Sequence, residues 1–95
     1  MYQFERGEHV ICKRNFRVDK VYTDPNGDFL VEISLSETGD VVQESDDMIS
    51  TGVTGKFWYA FLIPDDAALG IYDVLYTVTH NDLITKKRSQ FEVVE

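Results

Sequence analysis

A single cysteine, Cys12, excludes an intrachain disulfide, and none of Asn15, Asn26 and Asn81 opens an Asn-x-Ser/Thr sequon. Both marks of oxidative export are missing, so synthesis in a reducing compartment is the expectation. Only two histidines, His9 and His80, are present. With one cysteine they make no zinc set without carboxylates, and no ligand spacing suggests one. No apolar run approaches the ~20 residues needed to cross a bilayer, which excludes helical membrane insertion. The opening MYQFERGEHV lacks the apolar centre of a signal peptide. Cytoplasmic synthesis or assembly into a particle is therefore expected.

Positive charge is also scarce. Nine Lys and Arg face 17 Asp and Glu, for a formal charge of −8. The imbalance is segregated: between Asp24 and Asp82 the only base is Lys56, against 12 acids. Phosphate backbones are bound by Lys and Arg that displace counterions, so nucleic acid is not an expected partner. An anionic membrane is not an expected partner on the same ground, and no membrane insertion is expected.

What the chain has is alternation. Its 95 residues are enough for one domain, 1–95, and a hydrophobic content of 43% is enough for a core. FLVEISL, KFWYAFLI and YDVLYTV alternate with period two, placing Phe29, Val31, Ile33 and Leu35, then Phe57, Tyr59, Phe61 and Ile63, then Tyr72, Val74, Tyr76 and Val78 on common faces. EHVICKRNF is a weaker strand in which Arg14 interrupts the inward row, so a bulge or an early end is expected there. DVVQE pairs back across the Gly-containing ETGD, and HND is a tight turn before LITKKRSQFEVV, where Phe91 and Val93 are core candidates. A short strand near Tyr2 to Phe4 completes the set. DPNGD, ESDDMISTGVTG and PDDAA are the non-strand stretches. The expectation is an all-β, immunoglobulin-like antiparallel β-sandwich of about seven strands.

PDDAALGIY joins two of these strands. Pro64 cannot donate to a ladder and ends the first. Asp65 to Ala68 suit one helical turn, Leu69 is expected to drop inward, and Gly70 frees the backbone to enter the next strand. Tyr72 then stands where a corner tyrosine bonds back to the preceding loop. Leu69, Gly70 and Tyr72 are the structural corner.

RGEHV, MISTGVTGKFWYAFLIP, LGIYDV and the terminal FEV together resemble an immunoglobulin-like sandwich of macroglobulin (MG2-type) character. In such domains a Gly-x-aromatic-x-aromatic strand ends in Pro and a Leu-Gly-x-Tyr corner follows. Similar modules are stalk domains of microbial surface proteins and small domains of phage virion proteins. The resemblance implies a fold and a structural or protein-binding role, with no catalytic residues and no cofactor. It also implies that Cys12 is a buried thiol near Val74, where disulfide-bonded relatives of the fold place their two cysteines.

Candidate chemistry is thin. Asp24, Asn26 and Asp28 resemble the start of a calcium loop, but Phe29 and Leu35 stand where Gly and Glu are required. A calcium- or ligand-binding module, drawing also on Asp46-Asp47 or Asp65-Asp66, is the alternative reading. GVTGKF has the look of a phosphate loop with the wrong spacing, and a strand follows where a helix should start. Cys12 and His9 have opposite strand parity and do not form a nucleophile and base. Lys86, Lys87 and Arg88 form a basic edge that either protects an exposed strand or docks an acidic partner. Trp58 and Leu62, with Leu30, Leu75, Met48 and Val53, are the apolar interaction candidates. Trp58 is open to a second reading, in which VVQESDD covers it. The expected protein is a non-enzymatic module that binds a protein partner or itself.

Overall fold

The computed structural model describes residues 1–95, of which 64% are strand and none helix. The all-β class therefore holds. Ten strands form: β1 (Tyr2–Glu5), β2 (His9–Asn15), β3 (Arg17–Val18), β4 (Val21–Tyr22), β5 (Phe29–Leu35), β6 (Val41–Asp47), β7 (Ile49–Ser50), β8 (Lys56–Leu62), β9 (Gly70–His80) and β10 (Leu83–Val94). Three of them have only two residues, and these raise the count above the seven expected.

The strands make a five-stranded sheet in the order β1-β10-β9-β5-β6, a three-stranded sheet β2-β8-β7, and the small hairpin β3-β4. Pairing is antiparallel except for β1, which runs parallel to the end of β10 with Tyr2 opposite Phe91. The two larger sheets share one core. Val31, Ile33, Val74, Tyr76 and Val93 come from the first, and Val10, Cys12, Tyr59 and Phe61 from the second. Period-two burial along β9 follows from pleating: Tyr72, Val74, Tyr76 and Val78 are buried, while the residues between them are half-buried.

Turn chemistry fixes the connections. Asn81 and Asp82 both have positive φ, 51° and 63°, which matches the twist of the β9–β10 hairpin. Asp19 and Lys20 do the same between β3 and β4, at 50° and 68°. That second hairpin was not expected, because Asp-Lys carries no Gly or Asn signal.

Several local expectations are corrected. No bulge breaks β2, which pairs with β8 in continuous register from His9 to Asn15, and Arg14 points inward. The register shifts lie between β5 and β6 instead. In ESDDMISTGVTG all of ESDD and then Ile49–Ser50 are strand, because the segment leaves the edge of one sheet as β6, buries Met48, and joins the other sheet as β7.

Asp65 and Asp66 form a turn and no helix, closed by the Ala67 amide donating to the Pro64 carbonyl at 3.1 Å. Leu69 stays 42% exposed, and Ala67 packs against the core in its place. Gly70 enters β9 at φ 130°, a conformation L side chains rarely adopt. The Tyr72 hydroxyl donates to the Ala68 carbonyl at 2.6 Å, and its ring stacks on Phe91 at 5.3 Å between centroids.

Tyr72→Phe keeps the ring and removes the bond to an exposed loop carbonyl. The expected cost in urea unfolding is about 1 kcal/mol. An unchanged midpoint would show that the loop holds its form without the hydroxyl.

Candidate interaction surfaces

The outer face of the three-stranded sheet carries the odd-numbered residues of β2 and the even-numbered residues of β8. Register sets them in rows: Lys13–Trp58–Ile49, Ile11–Ala60 and His9–Leu62. Ile11, Ile49 and Leu62 are 51%, 46% and 52% exposed, and Trp58 and Ala60 are half-buried between them. This is a continuous apolar strip with no acidic residue. Trp58 is flanked by the short β7, so VVQESDD does not cover it; that segment lies in the other sheet.

The remaining apolar candidates do not join this strip. Leu30 and Leu75 lie on the outer face of the five-stranded sheet, on the far side of the core, in rows with Thr77 and Lys86 and with Glu32 and Arg88. Met48 is a core residue at 7% exposure. Val53 is exposed on the β7–β8 loop. Ile11 and Ile49 were the residues missed. They come from a strand with few flanking apolar positions and from a stretch read as a loop, and only register brings them beside Trp58.

Lys86, Lys87 and Arg88 lie on the part of β10 that β1 leaves uncovered, all exposed. They sit opposite Thr77, Tyr76 and Leu75, so Lys87 leaves the sheet on the core side, with Tyr76. There the Arg14 guanidinium lies 4.4 Å from the Tyr76 ring centroid. Burial above all pushes the Tyr76 hydroxyl up to about 12, with neighbouring Cys12 acting in the same direction and Ser89 and Arg14 against it. Burial also pushes the Cys12 thiol up, against the smaller opposing effects of Tyr76 and Arg14. Cys12 is buried, and it lines a groove together with Val74.

Tyr59 stands beside Cys12 on the neighbouring strand, and its hydroxyl donates to Asp46 at 2.9 Å, tying β8 to β6 across the two sheets. Burial, then the bonded and charged carboxylate, raises Tyr59 to about 12.

The calcium candidates are engaged in the fold. Asp24 accepts the Gly55 amide at 2.8 Å. Asn26 donates to the Asn81 side chain and accepts the Asn81 amide, and its own amide donates to His80 Nδ1 at 3.2 Å. The Asp28 carbonyl accepts the Thr79 amide. No three His, Cys, Asp or Glu side chains converge on a metal-sized site. GVTGKF is likewise structural: Gly55 is buried at φ 77°, and a Cβ there would stand 2.7 Å from the Phe16 carbonyl. His9 is exposed on the outer face and Cys12 is buried on the inner one, so the two do not meet. His80 is half-buried with its ring against Phe16 at 5.3 Å.

Comparison of the chain with protein-family models, with curated proteins and with solved structures finds no match to any of them.

Two outcomes follow from the buried side chains. Tyr59 and Tyr76 have folded values above the ordinary tyrosine value near 10, so the stability they contribute is complete below pH ~10 and is lost as pH rises through about 12. The urea midpoint should hold at neutral pH and fall between these limits, and Tyr59→Phe should blunt the fall. A midpoint flat to pH 12 would contradict it. Iodoacetamide should label Cys12 about tenfold or more slowly in the native protein than in urea. Equal rates would place the thiol in solvent.

Proposed function

We propose that this protein is a non-enzymatic structural or protein-binding module, and that it buries the Trp58–Leu62 face of its three-stranded sheet against another protein. The observation that carries the reading is the apolar strip itself. Ile11, Ile49 and Leu62 are about half exposed around a tryptophan, and strand register sets them side by side on one sheet face. Trp is a residue in which binding energy concentrates, and contiguous exposed apolar surface marks interfaces.

An immunoglobulin-like assignment of macroglobulin type is part of the proposal. In its support, β5, β9 and β10 take the places of strands C, F and G, with β6 as an added C′ strand. In the same scheme β2, β8 and β7 stand for B, E and D. The hydroxyl of Tyr72 bonds back to Ala68 at the corner into β9, as that fold's corner tyrosine does. A module of this kind suits a homo-oligomer, a virion or other microbial assembly, or a surface stalk.

The test is molar mass by light scattering over a range of concentrations, at low and high salt. Association through the apolar face is expected to persist at high salt and to weaken by about tenfold or more in Trp58→Ala and in Leu62→Glu. An oligomer that salt dissolves would shift the contact to complementary charge. A monomer in every condition would remove self-association and leave a foreign protein as the partner.

A further inference from the structure

The three-stranded sheet ends at β2, and nothing pairs with the outer side of that strand. Which main-chain groups are open follows from the ladder. The Phe16 amide donates to Gly55, and the Glu8 carbonyl accepts from Ile63, so even-numbered residues bond across to β8. His9, Ile11, Lys13 and Asn15 therefore turn their amides and carbonyls to the open side. Neither register shift nor proline blunts this edge.

Beside it runs a groove of about 810 Å³, lined by every residue from His9 to Arg14. Its far side is formed by Val74, Tyr76, Ser89 and Phe91 of the other sheet, and Phe4 of β1 also lines it. The groove exists because the three-stranded sheet has no strand beyond β2 to lie over this part of β10. Its length, six residues at about 3.3 Å each, is about 20 Å, the reach of an ordinary strand.

The charge of the groove is the reverse of the chain's. Of 17 acidic residues in the protein none lines it, while Lys13 and Arg14 do. Lys87 leaves β10 on the same side, opposite Tyr76. Arg14 Nε is buried and has no hydrogen-bond partner. A buried guanidinium N–H without an acceptor is costly, and a carboxylate is its natural complement.

We infer that the open edge of β2 receives an extended, acidic segment of a partner polypeptide as a further strand, with an apolar side chain packed over Val74 and Phe91 and a carboxylate on Arg14. Main-chain bonds to His9, Ile11, Lys13 and Asn15 supply affinity independent of sequence, and the groove supplies selection at alternate positions. The edge adjoins the Trp58 face and shares Ile11 with it, but it engages main-chain groups and the groove, whereas the face engages the outward side chains of β2 and β8.

The experiment is selection of displayed random peptides of about twelve residues, roughly twice the open edge, against the intact chain, followed by binding of the synthesised winners. Enriched peptides are expected to alternate apolar and polar residues and to carry Asp or Glu at a fixed position. On binding, the amides of His9, Ile11, Lys13 and Asn15 should shift in NMR spectra. Arg14→Gln should weaken binding about tenfold or more. Lys13→Pro removes an open amide that no ladder bond uses and should abolish binding. Lys13→Ala keeps the amide and should cost only about two- to threefold. Should one variant fail to fold by circular dichroism, the other still decides.

The inference is overturned if no peptide is enriched, or if the winners lack an acidic residue. It is equally overturned if folded Arg14→Gln or Lys13→Pro binds as the parent does, or if shifts gather at Trp58 and Leu62. A light-scattering dimer that Lys13→Pro dissolves, with no peptide bound, would replace the foreign strand with a second copy.

Discussion

Tyr72, Val74, Tyr76 and Val78 point from β9 into the space between the two sheets, and the rest of the fold is arranged to cover that row. β5 and β10 hold it on either side by main-chain pairing over almost the whole strand. Val10, Cys12, Tyr59 and Phe61 close it from above. The row is long because β9 and β10 are the longest strands, with 11 and 12 residues. The sheet that covers it is narrower and shorter, and so leaves part of β10 bare. Groove, basic edge and open β2 all follow from that mismatch in size.

The mismatch explains why polar residues occupy inward positions on β10. Lys87 and Ser89 share the parity of Phe91 and Val93, yet only the last two are buried. A charged side chain is tolerated on the core side of a sheet where no second layer excludes water from it. Arg14 is the intermediate case: its guanidinium rests on the Tyr76 ring, with Nε enclosed. Stacking on an aromatic face offsets part of the desolvation that such a position imposes.

The central strands were legible because their alternation is strict and each face has one environment. FLVEISL, KFWYAFLI and YDVLYTV needed no tertiary information, and Phe91 and Val93 were equally plain. Legibility failed where a residue's neighbours come from distant sequence. The ESDDMIS segment carries no strand signal, since its pairing with β5 rests on main-chain bonds and its side-chain anchors are only the buried Met48 and the Asp46 carboxylate that accepts from Tyr59. Leu69 and Ala67 exchanged their expected roles because a turn in place of a helix rotates the side chains that follow. The apolar strip was half legible. Trp58 and Leu62 could be assigned to an outer face by parity, but parity does not say that Leu30 and Leu75 face away on the other sheet. Nor does it say that Ile11 and Ile49 lie alongside. Arg14 was read as an interruption of the inward row and is instead a member of it.

The parallel pairing of β1 with the end of β10 bears on mechanics. Tyr2 lies opposite Phe91 and Glu5 opposite Val94, so the first and last strands run in the same direction side by side. Tension applied between Met1 and Glu95 drags these two strands lengthwise past each other. Their hydrogen bonds lie across the pull and share the load, so they must rupture together instead of opening one after another like a zip. The Phe4 ring packs edge-on against Phe91 at 5.8 Å and adds side-chain interlock to the same short seam. Resistance to stretching is thus concentrated in four residues of β1, including Phe4, which also lines the groove beside β2.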